Sequence, residues 1–298
     1  MALVDVCLCT HQPRRDVLAT ALGALARQTF DRDAFRVLVI DNASAPALDG
    51  RDLAPLAGIT HELVREDRLG AAYARARAIR EASAPILVFV DDDNELAPDY
   101  LERSVAILEA DPTLGCIGGK LLLARDVVLP TWFEPWRDYV GIRDDLGEAP
   151  LRADAAAWSR VMPPTAGMAV RRPVTELYLE LEHRLAGIGR RGTRWPGSCE
   201  DILLARQAHR LGLACGYFPE LVLVHHVDHA RLRFDYLLRF FFAVGFGEAR
   251  VDAILGGSGR PPTSLRERWR EARIPRDPRA IACLSARQAG RLAGRAPG

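Results

Sequence analysis

The sequence predicts an α/β fold in which helices flank a mainly parallel sheet. Short apolar runs rich in β-forming residues alternate with longer stretches of helical period, which is the pattern of repeated strand–helix–strand units. The strand-like runs are apolar throughout, as expected for strands that are buried on both faces. The chain has 298 residues, 49% of them hydrophobic, and is therefore long enough to bury a large core around such a sheet.

Regular elements are expected in close succession through the first third of the chain. The predicted strands cover residues 4–9, 35–40, 59–64 and 86–90. The predicted helices cover residues 16–28, 70–82 and 98–110. Proline is tolerated in the first turn of a helix, so Pro98 suits the start of the third one.

Periodicity fades between residues 124 and 164, where tryptophans and prolines appear. We expect a long excursion with little regular structure there, and such segments of compact domains are usually functional or mobile. Regular structure is expected to return as a strand over residues 168–170, a helix over 174–185, a helix that starts near Asp201 and a strand over 221–224.

The last part of the chain, with an apolar run followed by an arginine-rich tail, differs in composition from the strand–helix pattern before it. This change predicts a main domain over residues 1–232 and a C-terminal helical extension over 233–298. Residues 234–246 are apolar around the whole helical circumference but fall short of the roughly 20 residues that span a bilayer. One interpretation is that they pack on the chain's own domain or in a homodimer. The other is that they dock on an anionic membrane together with the arginine-rich tail after Gly259.

Charge and cysteine content narrow the class of protein. The 40 basic and 39 acidic residues nearly cancel, so no overall field attracts nucleic acid, and no nucleic-acid partner is expected. The six cysteines are scattered, and Cys7 and Cys9 alternate within an apolar run, which is typical of buried reduced thiols. The first residues fit neither a signal peptide nor a membrane span. A cytoplasmic protein is expected. If the membrane-docking interpretation holds, the protein would be bound peripherally at the inner face of the plasma membrane.

Polar residues stand at the predicted ends of four strands. These ends are Thr10-His11, Asp41-Asn42, Asp91-Asp92-Asp93 and His225-His226. Because ligands of open α/β sheets bind beyond the carboxyl ends of the strands, we expect the four ends to open on one edge and to form the binding site.

Three consecutive aspartates concentrate negative charge that a hard cation would neutralise. Carboxylate oxygens suit Mg²⁺ or Mn²⁺, and Mg²⁺ in particular is commonly held by one or two carboxylates together with substrate phosphates. Asp91 and Asp93 form a DxD arrangement, in which one could bind a ribose and the other the metal. The alternative is a solvated acidic turn that precedes a helix and is favoured by the helix dipole.

Three further candidates each carry a second interpretation. Asp201, with Glu200 beside it, could act as a general base, whereas Ser198 and Asp201 also fit a helix capping box. His225 could bind a metal as a neutral imidazole or contact a diphosphate, whereas a histidine at a strand end is more often a polar terminus. Arg75 could meet a phosphate or a base, whereas arginines on such helices usually face solvent.

Together these motifs resemble the family 2 glycosyltransferases of GT-A fold, with most likeness to bacterial members of polysaccharide-assembly pathways. The matching stretches cover residues 3–233 in the family's order. They are LCTHQPRRDVLATALGALARQTF, VLVIDNAS, RLGAAYARARAI, PILVFVDDDNELAPDYL, PTAGMAVRR, GSCEDILLARQAHRLG and YFPELVLVHHVDHARL. The resemblance implies a GT-A, Rossmann-like fold.

The resemblance also implies an inverting, metal-dependent transfer of one sugar from a nucleoside-diphosphate sugar to a hydroxyl of a glycan or lipid-linked acceptor, with UDP as the expected nucleotide. The residues it assigns to the nucleotide are Thr10, Asp41, Arg75, Asp91 and Asp92. Those it assigns to Mn²⁺ or Mg²⁺ are Asp93, Asp91 and His225. Asp201 falls at the position of the catalytic base, with Glu200 beside it.

Some features depart from the family pattern, and two rival classes stay open. Cys199 stands where a glycine is frequent, and Arg77 stands near a usual asparagine. The QxxRW signature of glycan-polymerising members is not found, which favours single-sugar transfer.

A nucleotidyltransferase would carry a glycine-rich, lysine-bearing loop after the first strand, where this chain has THQPR. A non-catalytic binding module would tolerate the loss of Asp93 or Asp201, and both are present.

Overall fold

The structure is a computed structural model that describes residues 2–154, 159–185, 188, 198–256 and 278–295. Of the predicted arginine-rich tail, the residues before 278 and after 295 lie outside the described part. The strands are β1 (Val4–Thr10), β2 (Phe35–Asn42), β3 (His61–Glu66), β4 (Ile86–Asp91), β5 (Asn94–Leu96), β6 (Leu114–Leu123), β7 (Leu151–Ala153), β8 (Ala169–Arg171) and β9 (Ala214–His225). The α-helices are α1 (Arg15–Ala26), α2 (Ala71–Glu81), α3 (Tyr100–Ala110), α4 (Arg172–Glu180), α5 (Glu200–Arg210), α6 (Phe234–Ile254) and α7 (Pro278–Gly294).

Within the described residues the strands form one sheet in the order β3-β2-β1-β4-β8-β6-β9-β5, and β7 also pairs with β9. β1 is parallel to β2 and β4, β2 to β3, and β6 to β9. β8 lies antiparallel between β4 and β6, so these two neighbours point the same way. Six strands of this sheet therefore share one direction, opposed by β5, β7 and β8. The predicted mainly parallel sheet is confirmed.

Helices cover both faces of the sheet, as predicted. On one face α2, α4 and α5 bury side chains that include Ala76, Val174 and Leu203. On the other face α1 and α3 bury Leu22 and Leu101. The buried residues of α1 and α3 recur about three or four positions apart, so that one apolar stripe of each helix faces the strands, whereas the alanine-rich α2 is buried over more of its circumference.

Strand β6 is the main element that the sequence does not predict. Its sequence, LGCIGGKLLL, contains glycines that interrupt the apolar run. The structure gives the reason for Gly119, because a Cβ atom there would lie 1.9 Å from the carbonyl oxygen of Leu221 on β9. The register of the two strands shifts between Gly118 and Lys120, so their backbones meet at a bulge.

The stretch between residues 124 and 164 is more regular than predicted. It contains a 3-10 helix over Thr131–Val140 and the short strand β7. Phe133 and Trp136 of this helix are buried, and the Trp136 ring packs edge to face on Phe241 of α6 with a centroid distance of 5.2 Å. Trp136, which breaks the periodic pattern in the sequence, is therefore a core anchor.

Helices α6 and α7 form the predicted C-terminal helical extension. A Cβ atom on Gly245 would lie 1.9 Å from the carbonyl oxygen of Arg287, and one on Gly290 would lie 2.0 Å from that of Phe242. The two helix backbones thus meet at glycines, where no side chain keeps them apart. The boundary at residue 232 stays a prediction.

The apolar segment 234–246 packs on its own chain. Leu237 and Phe241 are fully buried in a cluster with residues of the 3-10 helix Thr131–Val140 and of α7. Among the described helices, none combines the length and the apolar character that crossing a membrane requires.

Candidate active site

The polar strand ends meet at one edge of the sheet, as predicted. Thr10 is the register partner of Asp41 on β2, and its hydroxyl donates a hydrogen bond to Asp92 just after β4. His225, at the end of β9, is the register partner of Asn94 on β5. The ends of β1, β2, β4 and β9 therefore open on a common site.

Asn94 organises the acidic turn, although no motif of the sequence singles it out. Its amide oxygen accepts a hydrogen bond from the backbone N–H of Asp91 at 3.1 Å, and its amide nitrogen donates to Asp93 Oδ1 at 3.1 Å. The side chain is fully buried. The turn is therefore held by its own amide and is more than a solvated acidic loop. An asparagine directly after a run of aspartates is the signal that could have found it.

Arg75 of α2 connects the two acidic segments of the site. Its Nη1 lies 2.6 Å from Glu200 Oε1, and its Nη2 lies 3.3 Å from Asp91 Oδ1. The side chain is buried, so the solvent-facing interpretation is wrong. Burial lowers the pKa of the guanidinium, but the charges of Glu200 and Asp91 raise it more, and the net pKa of Arg75 lies above its ordinary value.

Asp93 and His225 lie side by side at the edge of the site. His225 Nε2 is 3.3 Å from Asp93 Oδ2, and His225 Nδ1 is 3.1 Å from the carbonyl oxygen of Gly141. When Nδ1 donates to that carbonyl, the neutral ring presents its Nε2 lone pair to Asp93. This is the usual arrangement of a metal-binding histidine, whose second nitrogen is fixed by a hydrogen bond.

The residues present fit a divalent cation. Mg²⁺ favours octahedral sites with bonds of about 2.1 Å, in which neighbouring ligands stand about 3.0 Å apart. The separation of 3.3 Å between His225 Nε2 and Asp93 Oδ2 is close to that value. Among the described residues, no group of three or more histidine, cysteine, aspartate or glutamate side chains could hold a metal by itself. A cation would therefore need further ligands, and substrate phosphates are ligands that Mg²⁺ commonly uses.

Asp41 is already engaged by its own chain. Its carboxylate accepts hydrogen bonds from the backbone N–H groups of Ser44 and Leu48, both at 3.1 Å, and from Arg65 Nη1 at 2.6 Å. Burial raises the pKa of this carboxyl, but hydrogen bonds from Ser44, Leu48 and Arg65 lower it more, so the net pKa lies below the usual value. Asp41 holds the loop after β2, and its contact with a nucleotide stays a prediction.

The candidate base lies at the start of α5. This helix begins at Glu200 and is preceded by Cys199 at the cap position, where no side chain caps the helix. The capping-box interpretation of Ser198 and Asp201 is therefore wrong, because Ser198 lies one residue too early. Asp201 Oδ1 accepts a hydrogen bond from the backbone N–H of Ile202 at 2.8 Å.

The environment of Asp201 disfavours its negative charge. Burial, followed by the charge of Glu200, raises the pKa of Asp201 to about 6, against the opposing effects of the Ile202 N–H, Arg75 and Arg143. A carboxyl with this pKa is ionised at neutral pH yet remains a stronger base than an ordinary aspartate. Such shifts are common at catalytic sites.

The C-terminal extension supports the turn that carries this base. A Cβ atom on Gly247 of α6 would lie 2.1 Å from the carbonyl oxygen of Ser198, so the two backbones are in close contact. Cys199 is buried, and its thiol lies 3.6 Å from the carbonyl oxygen of Val244. Cys199 has φ 75°, a left-handed conformation that glycine adopts most easily, which explains why a glycine would suit this position.

One family model matches the part of the chain that contains Thr10, Asp41, Arg75 and the three aspartates after β4. Residues 5–147 match the family model described as glycosyl transferase family 2. The match covers just under half of the chain and supports the resemblance to the family 2 glycosyltransferases. No curated protein sequence matches the chain.

Solved structures of glycosyltransferases share the fold. Mannosyltransferase PcManGT from Pyrobaculum calidifontis, in complex with GDP-Man and Mn²⁺, aligns with a TM-score of 0.58 and 23% identity over 99% of this chain and 76% of that chain. S. aureus TarS 1–349 in complex with UDP aligns with a TM-score of 0.53 and 15% identity over 99% and 89% of the two chains. Another S. aureus TarS structure aligns with a TM-score of 0.53 and 13% identity over 99% and 54%. The predicted GT-A fold is confirmed.

Proposed function

We propose that the chain transfers one sugar, with inversion, from a nucleoside-diphosphate sugar to an acceptor hydroxyl, and that a divalent cation assists the transfer. The observation that carries this proposal is the position of Arg75, which contacts both Asp91 and Glu200. Through Arg75 the acidic strand end and the start of α5 become parts of one site. A single displacement needs both a group that holds the donor and a group that deprotonates the acceptor.

Asp93 and His225 would hold the cation, with Asp91 beside them, while Thr10, Asp92 and Asp41 line the nucleotide side. A bound cation would offset the charge that builds on the departing diphosphate. The complex of PcManGT with GDP-Man and Mn²⁺ and that of TarS with UDP support a nucleotide-sugar donor. The two neighbours carry different bases, so the expectation of UDP rests on the family resemblance alone.

Asp201 would take the proton from the acceptor hydroxyl. A general base is most effective when its pKa lies near the working pH, and burial together with the charge of Glu200 raises the pKa of Asp201 to about 6. Glu200 is instead engaged by Arg75 at 2.6 Å. This pairing supports Asp201, and not Glu200, as the base.

The proposed acceptor is a glycan or a lipid-linked glycan of polysaccharide assembly, as the resemblance implies. A lipid-linked acceptor would place the protein on the cytoplasmic face of a membrane, in contact through segment 234–246 and the arginine-rich tail. Flotation with anionic vesicles at low salt tests this contact, and a protein that stays unbound would refute it.

A second copy of the chain is the other partner proposed, and sedimentation velocity would detect the homodimer.

A thermal-shift panel tests the donor site. UDP, GDP, dTDP and CDP are each added with and without Mn²⁺ to the wild type, to Asp93→Ala and to the control Asp99→Ala, whose aspartate pairs with Arg103 on the surface. A ligand that binds the folded state raises its melting temperature. One diphosphate should stabilise the wild type and the control only with Mn²⁺, and Asp93→Ala should lose the effect. If no diphosphate stabilises the wild type, the proposal is wrong.

A further inference from the structure

Arg231 lies beside the proposed metal ligands, although no motif singles it out. It belongs to the 3-10 helix His229–Leu232, which follows β9. Its Nη1 lies 3.5 Å from Asp93 Oδ2 and 3.4 Å from His225 Nε2. These are the same two atoms that would bind the divalent cation. Arg231 therefore shares ligands with the proposed metal.

The guanidinium resolves an unfavourable contact between these two atoms. In the neutral tautomer that donates its Nδ1 proton to Gly141, which is the form that can bind a metal, His225 turns the lone pair of Nε2 toward a carboxylate oxygen of Asp93 at 3.3 Å. Both atoms are hydrogen-bond acceptors in this arrangement. A donor or a cation beside them stabilises the pair, and the permanently charged guanidinium is both.

We infer that Arg231 is a resident counter-cation that competes with the divalent metal and makes metal binding depend on the nucleoside diphosphate. The inference rests on the proposed function, in which Asp93 and His225 hold the metal. With a metal bond of about 2.1 Å to His225 and the 3.4 Å contact of Arg231, the ion would lie at most about 5.5 Å from Nη1. At this distance, at a site that is only partly exposed to water, two cations repel each other.

The diphosphate relieves this repulsion. Its oxygens can bind the metal and at the same time accept charge-assisted hydrogen bonds from a guanidinium. Metal alone is therefore held weakly, whereas metal and diphosphate bind cooperatively. If Arg231 had a purely structural role, its removal would have the opposite effect on metal affinity. The loosened site would bind the metal less tightly.

Mn²⁺ binding separates these two roles of Arg231. The signal of the free aqua ion in electron paramagnetic resonance is measured with protein alone and with UDP or GDP present, for the wild type, Arg231→Met, Arg231→Gln and Arg231→Lys. Arg233→Met is the matched control, because Arg233 lies two residues further on, is exposed and pairs with Asp235. Melting temperatures show which variants fold, and either neutral variant is sufficient for the comparison.

Both neutral variants should bind Mn²⁺ alone about fivefold or more tightly than the wild type, and the gain from diphosphate should shrink by a similar factor. Arg231→Lys, which keeps the charge, and the control should stay within about twofold of the wild type. Equal or weaker Mn²⁺ binding by a folded neutral variant overturns the inference. The proposed function survives that result if Asp93→Ala abolishes Mn²⁺ binding in the presence of diphosphate. A wild type that binds no Mn²⁺ even with diphosphate refutes both.

Discussion

Glu200 lies beside Asp201 at the first turn of α5, and its negative charge adds to the effect of burial in raising the pKa of Asp201 to about 6. Glu200 itself is paired with Arg75, which has Asp91 as its second partner. One ion-pair network thus links the strand end that would hold the donor to the group that would activate the acceptor. Burial and the charge of Glu200 make the ionised Asp201 costly for the fold, and the charge of Arg75 offsets part of that cost.

Replacing Asp201 by asparagine should stabilise the protein at high pH. The pKa of Asp201 is about 6 in the folded chain and near 3.9 in an unfolded one, so the folded state disfavours the ionised form. The cost is fully present above pH 6 and vanishes below pH 4, because the carboxyl is then protonated in both states. Asp201→Asn should therefore gain roughly 1–3 kcal/mol at pH 8 and little at pH 4. Melting temperatures at the two pH values measure the difference.

Asp99→Asn is the control for this measurement, since Asp99 forms an exposed ion pair with Arg103. Exposed pairs contribute little, so the control should change the melting temperature only slightly at pH 8. A loss of stability in Asp201→Asn at pH 8 would contradict the prediction.

The ionisation of Asp201 should also determine the pH profile of sugar transfer. Activity should fall as the pH drops through about 6, because Asp201 must be ionised to accept a proton. Arg75 lowers the pKa of Asp201, so Arg75→Met should move this acidic limb to higher pH. Arg77→Met, which removes a surface ion pair with Glu81 on the same helix, should leave it in place. A limb that stays in place in Arg75→Met would exclude Asp201 as its source.

Much of the fold follows from the sequence because its strongest signals are local. The apolar runs that form β1, β2 and β4 are buried on both sides, and polar residues mark where they end. β6 is missed because its glycines serve close contacts with α5, with Pro163 and with β9, which only the folded chain creates. The same limit applies to the 3-10 helix over Thr131–Val140, where burial of Trp136 depends on α6.

The site, like the fold, is predictable where its signals are local. Asp93 and Asp201 stand next to regular elements, so the sequence alone indicates their motifs. The choice between Glu200 and Asp201 as base depends on Arg75, which is 125 residues away from Glu200 in the chain. Arg231 cannot be recognised from the sequence because its 3-10 helix has only four residues, too few for a periodic pattern that would indicate the direction of its side chain.

Gly141 should be required for the orientation of His225. It has φ 75°, and a Cβ atom there would lie 3.0 Å from His225 Nδ1. Gly141→Ala should therefore push the imidazole away and weaken Mn²⁺ binding in the presence of diphosphate by about tenfold. Gly147→Ala is the matched control, because Gly147 has φ 97° and nothing within 4 Å of the added atom. Both variants bear a similar backbone strain, so equal metal affinities, measured by calorimetry, would argue against a role for Gly141 at His225.

The crossing of α6 and α7 should fail when its glycines gain a side chain. A Cβ atom on Gly290 would lie 2.0 Å from the carbonyl oxygen of Phe242, and backbone atoms do not yield as a flexible side chain does. Gly290→Ala should cost about 2 kcal/mol or more and expose α7 to protease.

Gly23→Ala provides the control in the interior of another helix, because the nearest atom is the flexible end of Arg27 at 3.1 Å. There the alanine should stabilise by about 0.5–1 kcal/mol through its helix propensity. Melting temperatures should therefore move in opposite directions for the two substitutions. If Gly290→Ala melts as high as Gly23→Ala, the two helices do not meet at Gly290 in solution. Helix α6 also contacts the backbone of Ser198 through Gly247, next to the turn that carries Asp201. Separation of α7 from α6 should therefore reduce the rate of sugar transfer by a larger factor than it reduces the affinity for Mn²⁺.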